Sequence, residues 1–230
     1  MPTPHAIVFD LDGTLTDTEV TWAEVRRNLT AALGRTYPER ATTAMMGMST
    51  PEWAQYCADE LGFPGTLAEI GDRVITGIAD AYAAGRVRLL PGAADAVRRM
   101  AARGPIAVAS SSPPVLIDAG LKALGVSDLV EVRVSSETVG FGKPRPEVYL
   151  EACRQLGVAP EDAVAIEDST NGVRSAVTAG LRVVAVPLEP HVPSDEALAL
   201  CSAVLASLDD LTDDLVEGLR GSPLRLAPGR

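Results

Sequence analysis

An α/β fold, an open parallel sheet with an inserted helical domain, is predicted from three features of the sequence. Short apolar runs alternate with helical patterns through most of the chain. The runs are almost continuously apolar, as expected for parallel strands that are covered on both faces. After the first run, residues 17–88 contain helical patterns only. The alternation predicts the sheet, and the stretch without strands predicts the insertion.

Five apolar runs are predicted to be buried strands. They are residues 6–9, 106–109, 130–134, 163–166 and 183–186. Four helices are predicted between them, at residues 92–103, 113–124, 146–157 and 170–180. Several of these patterns end near a glycine such as Gly104, Gly125 or Gly157, which is a common residue just after a helix C-terminus.

The stretch after the first strand is predicted to be a helical cap domain. Its helical patterns cover residues 19–33, 38–46, 51–61 and 66–84. We therefore predict a core domain of residues 1–16 and 89–230 and a cap domain of residues 17–88, with hinges near residues 15–18 and 86–91. Residues 221–230 are predicted to be a frayed tail.

The composition excludes several classes of protein. The chain has 230 residues and a net charge of −11, which argues against a broad nucleic-acid or anionic-membrane surface. Its three cysteines are widely separated and show no metal-site spacing. No basic segment of a signal peptide is visible, and no run reaches the roughly 18 apolar residues of a membrane span. We expect a cytoplasmic monomer without nucleic-acid or membrane partners.

Polar residues follow three of the predicted strands. Asp10 and Asp12 follow the first, Ser110 begins a run of serines after the strand at 106–109, and Glu167 and Asp168 follow the strand at 163–166. Ligands of open α/β sheets bind beyond the carboxyl ends of the strands. Four carboxylates at one edge would repel each other, and a hard divalent cation relieves that repulsion. Ligation by oxygen atoms alone favours Mg²⁺.

Lys143 is a further candidate, because it lies just before a predicted helix in a chain that otherwise uses arginine. Of the 20 basic residues, only Lys122 and Lys143 are lysines. Each polar group alone has a structural explanation: a turn for Asp10–Gly13, a helix cap for the serines, and a solvated loop residue for Lys143. Their joint occurrence at one predicted edge favours a functional site.

These groups resemble the four motifs of the haloacid dehalogenase superfamily, in the branch with a helical cap inserted after the first motif. The motifs stand here as Asp10-Leu11-Asp12-Gly13-Thr14, Ser110, Lys143 and Glu167-Asp168. The resemblance covers nearly the full chain and implies a Rossmann-like core. It also implies that Asp10 attacks phosphorus and forms an aspartyl-phosphate, and that Asp12 is the general acid and then the general base.

The resemblance further implies the metal ligands and the phosphate-binding groups. Mg²⁺ would be held by Asp10, the backbone carbonyl of Asp12 and Asp168, with Glu167 as a ligand or as a hydrogen-bond acceptor behind the ligands. The transferring phosphoryl group would be bound by Ser110 and Lys143. The second aspartate of the first motif argues against dehalogenation, because the dehalogenases of the superfamily lack it.

Substrate choice is expected to lie in the cap domain. Similar capped enzymes are hexose-phosphate phosphatases and β-phosphoglucomutases, and the candidate substrate contacts in the cap are Trp22, Gly47, Met48 and Ser49. Ser111 and Asn171, which follow two of the core strands, are also candidate contacts.

A mutase is disfavoured at two positions. The mutases carry an arginine where this chain has Thr50 and a histidine where it has Trp22. Arg26, Arg27 and Arg73 remain as other arginines of the cap segment that could bind a second phosphate. The sequence therefore predicts a Mg²⁺-dependent phosphatase acting on a small phosphorylated metabolite, a sugar phosphate, with a phosphomutase as the alternative.

Two other classes of protein are less consistent with the sequence. A signalling receiver also phosphorylates an aspartate beside Mg²⁺ on an α/β sheet, but the helical insertion and the second aspartate argue against it. A binding protein on a decayed scaffold has no support, because every motif residue is present.

Overall fold

A computed structural model describes residues 6–45 and 48–219. The chain divides into two compact units. The first, here called the core unit, consists of Met1–Asp17 and Arg88–Arg230, and the second, here called the helical unit, is Thr18–Val87. The predicted substrate contact Gly47 and the predicted tail 221–230 lie outside the described residues.

The core unit contains a six-stranded parallel sheet in the order β5-β4-β1-β6-β7-β8 and a separate antiparallel pair, β2 and β3. The strands are β1 Ala6–Phe9, β2 Thr16–Asp17, β3 Arg88–Leu89, β4 Ile106–Ser110, β5 Val132–Ser135, β6 Ala163–Glu167, β7 Arg182–Ala185 and β8 Ala203–Val204. All five predicted strands are present, which confirms the α/β fold. The strands β2, β3 and β8 were not predicted, because strands of two residues have no hydrophobic period to recognise.

Helices cover both faces of the sheet. The helices of the core unit are α5 Ala93–Ala101, α6 Pro114–Ala123, α7 Ser136–Val139, α8 Glu147–Leu156, α9 Thr170–Ala179, α10 Asp195–Leu198 and α11 Asp213–Gly218. Alternate residues of β1 point to opposite sides, so Ile7 and Phe9 pack with α5, α6 and α11, whereas Ala6 and Val8 pack with α8, α9 and α10. This double coverage explains why the strands are apolar throughout.

The helical unit contains the four helices predicted for its stretch of the chain. They are α1 Glu19–Ala32, α2 Arg40–Ala44, α3 Thr50–Asp59 and α4 Leu67–Ala83. Two of them begin with reciprocal caps, Ser49 with Glu52 at α3 and Thr66 with Glu69 at α4, which satisfy amide groups at the helix start. A buried cluster that includes Trp53 forms the interior of this unit.

The predicted hinge segments include the antiparallel pair of the core unit. Thr16 of β2 pairs with Leu89 of β3, and Asp17 pairs with Arg88. Arg88 also forms a 3.3 Å ion pair with Asp17. Within residues 6–45 and 48–219, no helix combines the length and the apolar composition needed to cross a membrane.

Candidate active site

Asp10 stands directly after β1, in the middle of the sheet. Its backbone amide donates to the carbonyl of Ile166 at 2.9 Å, which continues the pairing of β1 with β6 beyond the end of the strand. The residue is only 6% exposed. Burying a carboxylate is costly unless a cation or hydrogen-bond donors compensate it. Asp10 therefore needs a charged partner within the core unit.

Lys143 is that partner. Its ammonium nitrogen Nζ lies 2.5 Å from Oδ1 of Asp10, 2.7 Å from Oε1 of Glu167 and 3.1 Å from the carbonyl oxygen of Ala109. The hydroxyl oxygen of Tyr149 is a fourth, longer contact at 3.4 Å, so acceptors are available for all three N–H donors of the ammonium group. The side chain of Lys143 is 6% exposed, and its compact ammonium group is enclosed by these acceptors. This fit gives a physical reason for a lysine at this position.

Glu167 is fully buried, and both of its carboxylate oxygens accept hydrogen bonds. Oε1 accepts from Lys143 and, at 2.7 Å, from the hydroxyl of Tyr149. Oε2 accepts from the backbone amides of Asp168 at 3.1 Å and Ser169 at 3.3 Å, and from the Ser169 hydroxyl at 3.2 Å. This saturation favours the alternative in which Glu167 is an acceptor that orients Lys143 rather than a direct ligand of a metal.

Gly172 and Gly13 leave the space that two of the carboxylates occupy. A Cβ atom at Gly172 would overlap the carboxylate of Glu167, and one at Gly13 would overlap that of Asp168. Gly13 also has a φ of +93°, a backbone conformation that favours glycine. Thr14 donates to Oδ1 of Asp168 at 3.3 Å. Packing against Asp168 therefore explains the Gly13-Thr14 pair that ends the first motif.

The carboxylates of Asp10, Glu167 and Asp168 form one cluster. Each offers an oxygen, and these oxygens lie within 4.8 Å of one another. Burial raises the pKa of Asp168 to about 9, and repulsion from Asp10 and Glu167 adds to this effect. Burial also raises the pKa of Asp10 to about 7, although Lys143 opposes the shift. When ionised, the three carboxylates and the one ammonium group have a net charge of −2. A group of oxygen donors with this charge fits a divalent cation.

Asp12 is joined to the serines that follow β4. Its Oδ2 accepts from the hydroxyl of Ser112 at 2.6 Å and from that of Ser110 at 3.3 Å. The Ser110 hydroxyl also accepts from the amide of Ser112 at 2.9 Å. The structure thus brings the second aspartate of the first motif to the serine of the second motif, as their positions after neighbouring strands require.

The remaining predicted contacts are not joined to this cluster. Among the described residues, no hydrogen bond connects Ser111 or Asn171 with it, and both side chains are exposed. In the helical unit, Trp22 is half-buried, Met48 is exposed and Ser49 caps α3. Their assignment to substrate binding stays a prediction.

Four contributors were not predicted from the sequence: Thr14, Ser112, Ser169 and Tyr149. The first three stand inside or beside the predicted motifs, so their position was the available signal. Tyr149 lies in α8, where the helical spacing of apolar residues predicts only that its side chain is buried. A buried tyrosine usually needs a partner for its hydroxyl, which was the one available hint. Burial and the Glu167 carboxylate raise the pKa of Tyr149 well above its usual value, so its hydroxyl remains a donor.

Comparison with known proteins gives matches over most of the chain. The family described as haloacid dehalogenase-like hydrolase matches residues 4–180. Hexitol phosphatase B of Escherichia coli (strain K12) is 31% identical over 221 residues, which are 92% of this chain and 97% of that protein.

Two solved structures are similar to the described fold. CbbY from Rhodobacter sphaeroides, in complex with phosphate, has a TM-score of 0.79 and 29% identity and covers 90% of this chain and 96% of that one. A putative β-phosphoglucomutase from Thermotoga maritima has a TM-score of 0.74 and 28% identity, with 93% of this chain and 99% of that one covered.

Proposed function

From the premise that the chain belongs to the haloacid dehalogenase-like hydrolases, we propose that it is a Mg²⁺-dependent phosphatase of a small phosphorylated metabolite, a sugar phosphate. The proposal includes a covalent aspartyl-phosphate on Asp10. The observation that carries it is the ion-pair network in which Lys143 holds Asp10 and Glu167 at 2.5 and 2.7 Å beside Asp168.

In the first step, a carboxylate oxygen of Asp10 attacks phosphorus, and the bond from phosphorus to the ester oxygen breaks. Asp12 gives a proton to the departing oxygen, so that the alcohol leaves neutral. The hydroxyls of Ser110 and Ser112, which donate to Asp12, orient its carboxyl group for this transfer. Lys143 neutralises charge on the attacking carboxylate and on the transferring phosphoryl group.

In the second step, water attacks the phosphorus of the aspartyl-phosphate. Asp12, now ionised, takes a proton from that water, and Asp10 is released together with inorganic phosphate. The same residue therefore acts as acid and then as base, which returns the enzyme to its starting protonation state.

Asp10, Asp168 and the backbone carbonyl of Asp12 are the proposed ligands of Mg²⁺. When bound, the metal would polarise a phosphoryl oxygen and neutralise charge in the transition state. Glu167 would position Lys143 and would not bind the metal directly, because its oxygens already accept hydrogen bonds.

A sugar-phosphate substrate is supported by the curated relative that is named a hexitol phosphatase. We assign substrate choice to the helical unit, acting as a cap domain, with Trp22, Met48 and Ser49 as contacts. A cytoplasmic monomer remains part of the proposal. The cytoplasmic location is consistent with the three buried cysteines, which form no disulfide bond and suit a reducing compartment.

A phosphomutase is the second candidate, favoured by the likeness to the putative β-phosphoglucomutase from Thermotoga maritima. The discriminating assay uses β-glucose 1-phosphate with and without glucose 1,6-bisphosphate. We expect inorganic phosphate to accumulate without the bisphosphate. Dominant conversion to glucose 6-phosphate, with little phosphate released, would favour the mutase.

The test of the proposed function is phosphate release from a panel of phosphorylated metabolites with Mg²⁺, using wild type and Asp10→Asn. The amide keeps the shape of the side chain but cannot attack phosphorus, so turnover should fall at least a hundredfold. Asp95→Asn is the matched control, because Asp95 is an exposed carboxylate of α5 in the same unit. No release from any substrate, or full activity of Asp10→Asn, would contradict the proposal.

A further inference from the structure

Arg26 of α1 is a buried arginine without a counter-charge. The residue is 6% exposed, and no carboxylate of the described residues pairs with it. Its Nε atom is shielded from solvent and has no hydrogen-bond partner. An uncompensated guanidinium inside a protein is unfavourable, because it loses its hydration without gaining acceptors. Burial accordingly lowers the pKa of Arg26.

Two tryptophans enclose the guanidinium. Its carbon Cζ lies 4.8 Å from the ring centroid of Trp22 and 5.0 Å from that of Trp53. The two rings meet edge to face, with centroids 5.7 Å apart. Cation–π contacts of this kind attract the charge but offer no acceptor for the N–H donors. The arrangement holds the guanidinium in place and leaves its buried Nε–H donor without an acceptor.

Other arginines of the helical unit are placed differently. Arg27 is exposed beside the ring of Tyr37, Arg40 pairs with Glu60 at 3.4 Å, and the exposed Arg73 donates to the carbonyl of Pro64. Each of these side chains reaches water or an acceptor. Unlike these three arginines, Arg26 is buried between two aromatic rings and has no acceptor at Nε.

We propose that Arg26 is an anion-binding residue of the helical unit, and that it binds a carboxylate or a second phosphate group of the substrate. A guanidinium presents paired donors that match the oxygens of either group. The binding of an anion at Arg26 stands on the geometry of the helical unit alone. The further statement, that this anion is part of the substrate, rests on the proposed function.

Tryptophan fluorescence tests the anion site without any catalysis. The chain has two tryptophans, and both flank Arg26, so their emission reports on this group. Malonate and inorganic sulfate are the probes, titrated into wild type, Arg26→Met and Arg40→Met. Arg40 is an exposed arginine of α2 in the same unit, so we expect a saturable change in wild type and in Arg40→Met, and at least tenfold weaker binding in Arg26→Met. Equal titrations of all three proteins would overturn the proposal.

Thermal melting separates this role from a purely structural one. Methionine keeps a long side chain and removes an unpaired charge, so Arg26→Met should melt at the wild-type temperature or above it. A much lower melting temperature together with unchanged probe binding would show that Arg26 serves the packing of Trp22 and Trp53, and would overturn the proposal.

Selectivity tests the link to the substrate. Two pairs of substrates are compared. 3-Phosphoglycerate has a carboxylate that glycerol 3-phosphate lacks, and fructose 1,6-bisphosphate has a second phosphate that fructose 6-phosphate lacks. For one of these pairs, we divide kcat/KM of the substrate that has the extra anionic group by kcat/KM of the substrate that lacks it. In Arg26→Met, this ratio should fall about tenfold to a hundredfold, mainly through a higher KM of the substrate with the extra group. Arg26→Lys should restore part of the ratio. Unchanged ratios in both pairs would refute a substrate role. If wild type releases phosphate from no member of the metabolite panel, the proposed function fails, while the fluorescence result still decides on the anion site.

Discussion

The ammonium group of Lys143 lies 2.7 Å from Oε1 of Glu167, whose carboxylate is completely buried. The same ammonium contacts Asp10, and the hydroxyl of Tyr149 donates to the same Glu167 oxygen. A lysine from the loop before α8 is thus fixed between the ends of β1 and β6. This relationship places a positive charge beside the proposed nucleophile before any substrate binds.

Replacing Lys143 by methionine should destabilise the protein as well as inactivate it. The substitution leaves Asp10 and Glu167 buried without their cation, which costs about 3–5 kcal/mol when one partner of a buried pair is removed. Urea unfolding of wild type and Lys143→Met measures the difference. Lys122→Met is the control, since Lys122 is the exposed lysine of α6. Equal stability of Lys143→Met and wild type would contradict the buried ion pair.

Gly172→Ala should disturb the site through Glu167. The added methyl group would overlap the Glu167 carboxylate, which has no solvent-exposed space to move into. We expect at least a tenfold loss of kcat and a lower unfolding free energy. Gly218→Ala is the matched control, because a Cβ there meets nothing within 4 Å. The same kcat for both variants would show that Glu167 can move without consequence.

The cysteines should be unreactive in the native protein. Cys57, Cys153 and Cys201 are buried and form no disulfide bond, and burial raises the pKa of Cys57 and of Cys153 to about 11. The thiolate is the reactive form of cysteine. A thiol-specific reagent at pH 8 should therefore modify the native protein slowly and should modify all three cysteines rapidly after unfolding. Fast modification of the folded chain at pH 8 would contradict the described burial.

Most of the fold follows from local patterns, whereas part of the site depends on tertiary contacts. The apolar runs of β1 and β6 and their terminal aspartates could be predicted, because each is a local feature of the chain. The hydrogen bond from Tyr149 to Glu167 could not be predicted, because the periodicity of the helix indicates only that Tyr149 is buried. The two-residue strand β8 was missed because it carries no pattern of its own. The family and the enzyme class that the motifs predicted were confirmed.

The helical unit shows the same limit. Its helices could be predicted from local helical patterns, but the packing of its interior could not be predicted. An arginine at position 26 is expected on the solvent side of a helix, because arginine is rarely buried without a partner. Its place between Trp22 and Trp53 depends on the packing of α1 against other helices, which one sequence does not reveal.

Removal of the metal should abolish activity and lower stability. Asp10, Glu167 and Asp168 lie too close to be ionised together without added positive charge, so Mg²⁺ should stabilise the native state. We expect EDTA to stop phosphate release, Mg²⁺ to restore it and Ca²⁺ to restore it poorly. Mg²⁺ should also raise the melting temperature of wild type but not of Asp168→Asn. Full activity in chelator would exclude the proposed metal dependence.

The central claim is that Asp10 becomes phosphorylated, and trapping that intermediate is its most direct test. The enzyme is mixed with a hydrolysed substrate, quenched in acid during the first turnover, and treated with borohydride, which reduces a phosphorylated aspartate to homoserine. Peptide mass spectrometry then locates the change. The account predicts homoserine at Asp10, none at Asp12 and none without substrate. Rapid phosphate release with no modified aspartate, or with the modification at Asp12, would contradict it.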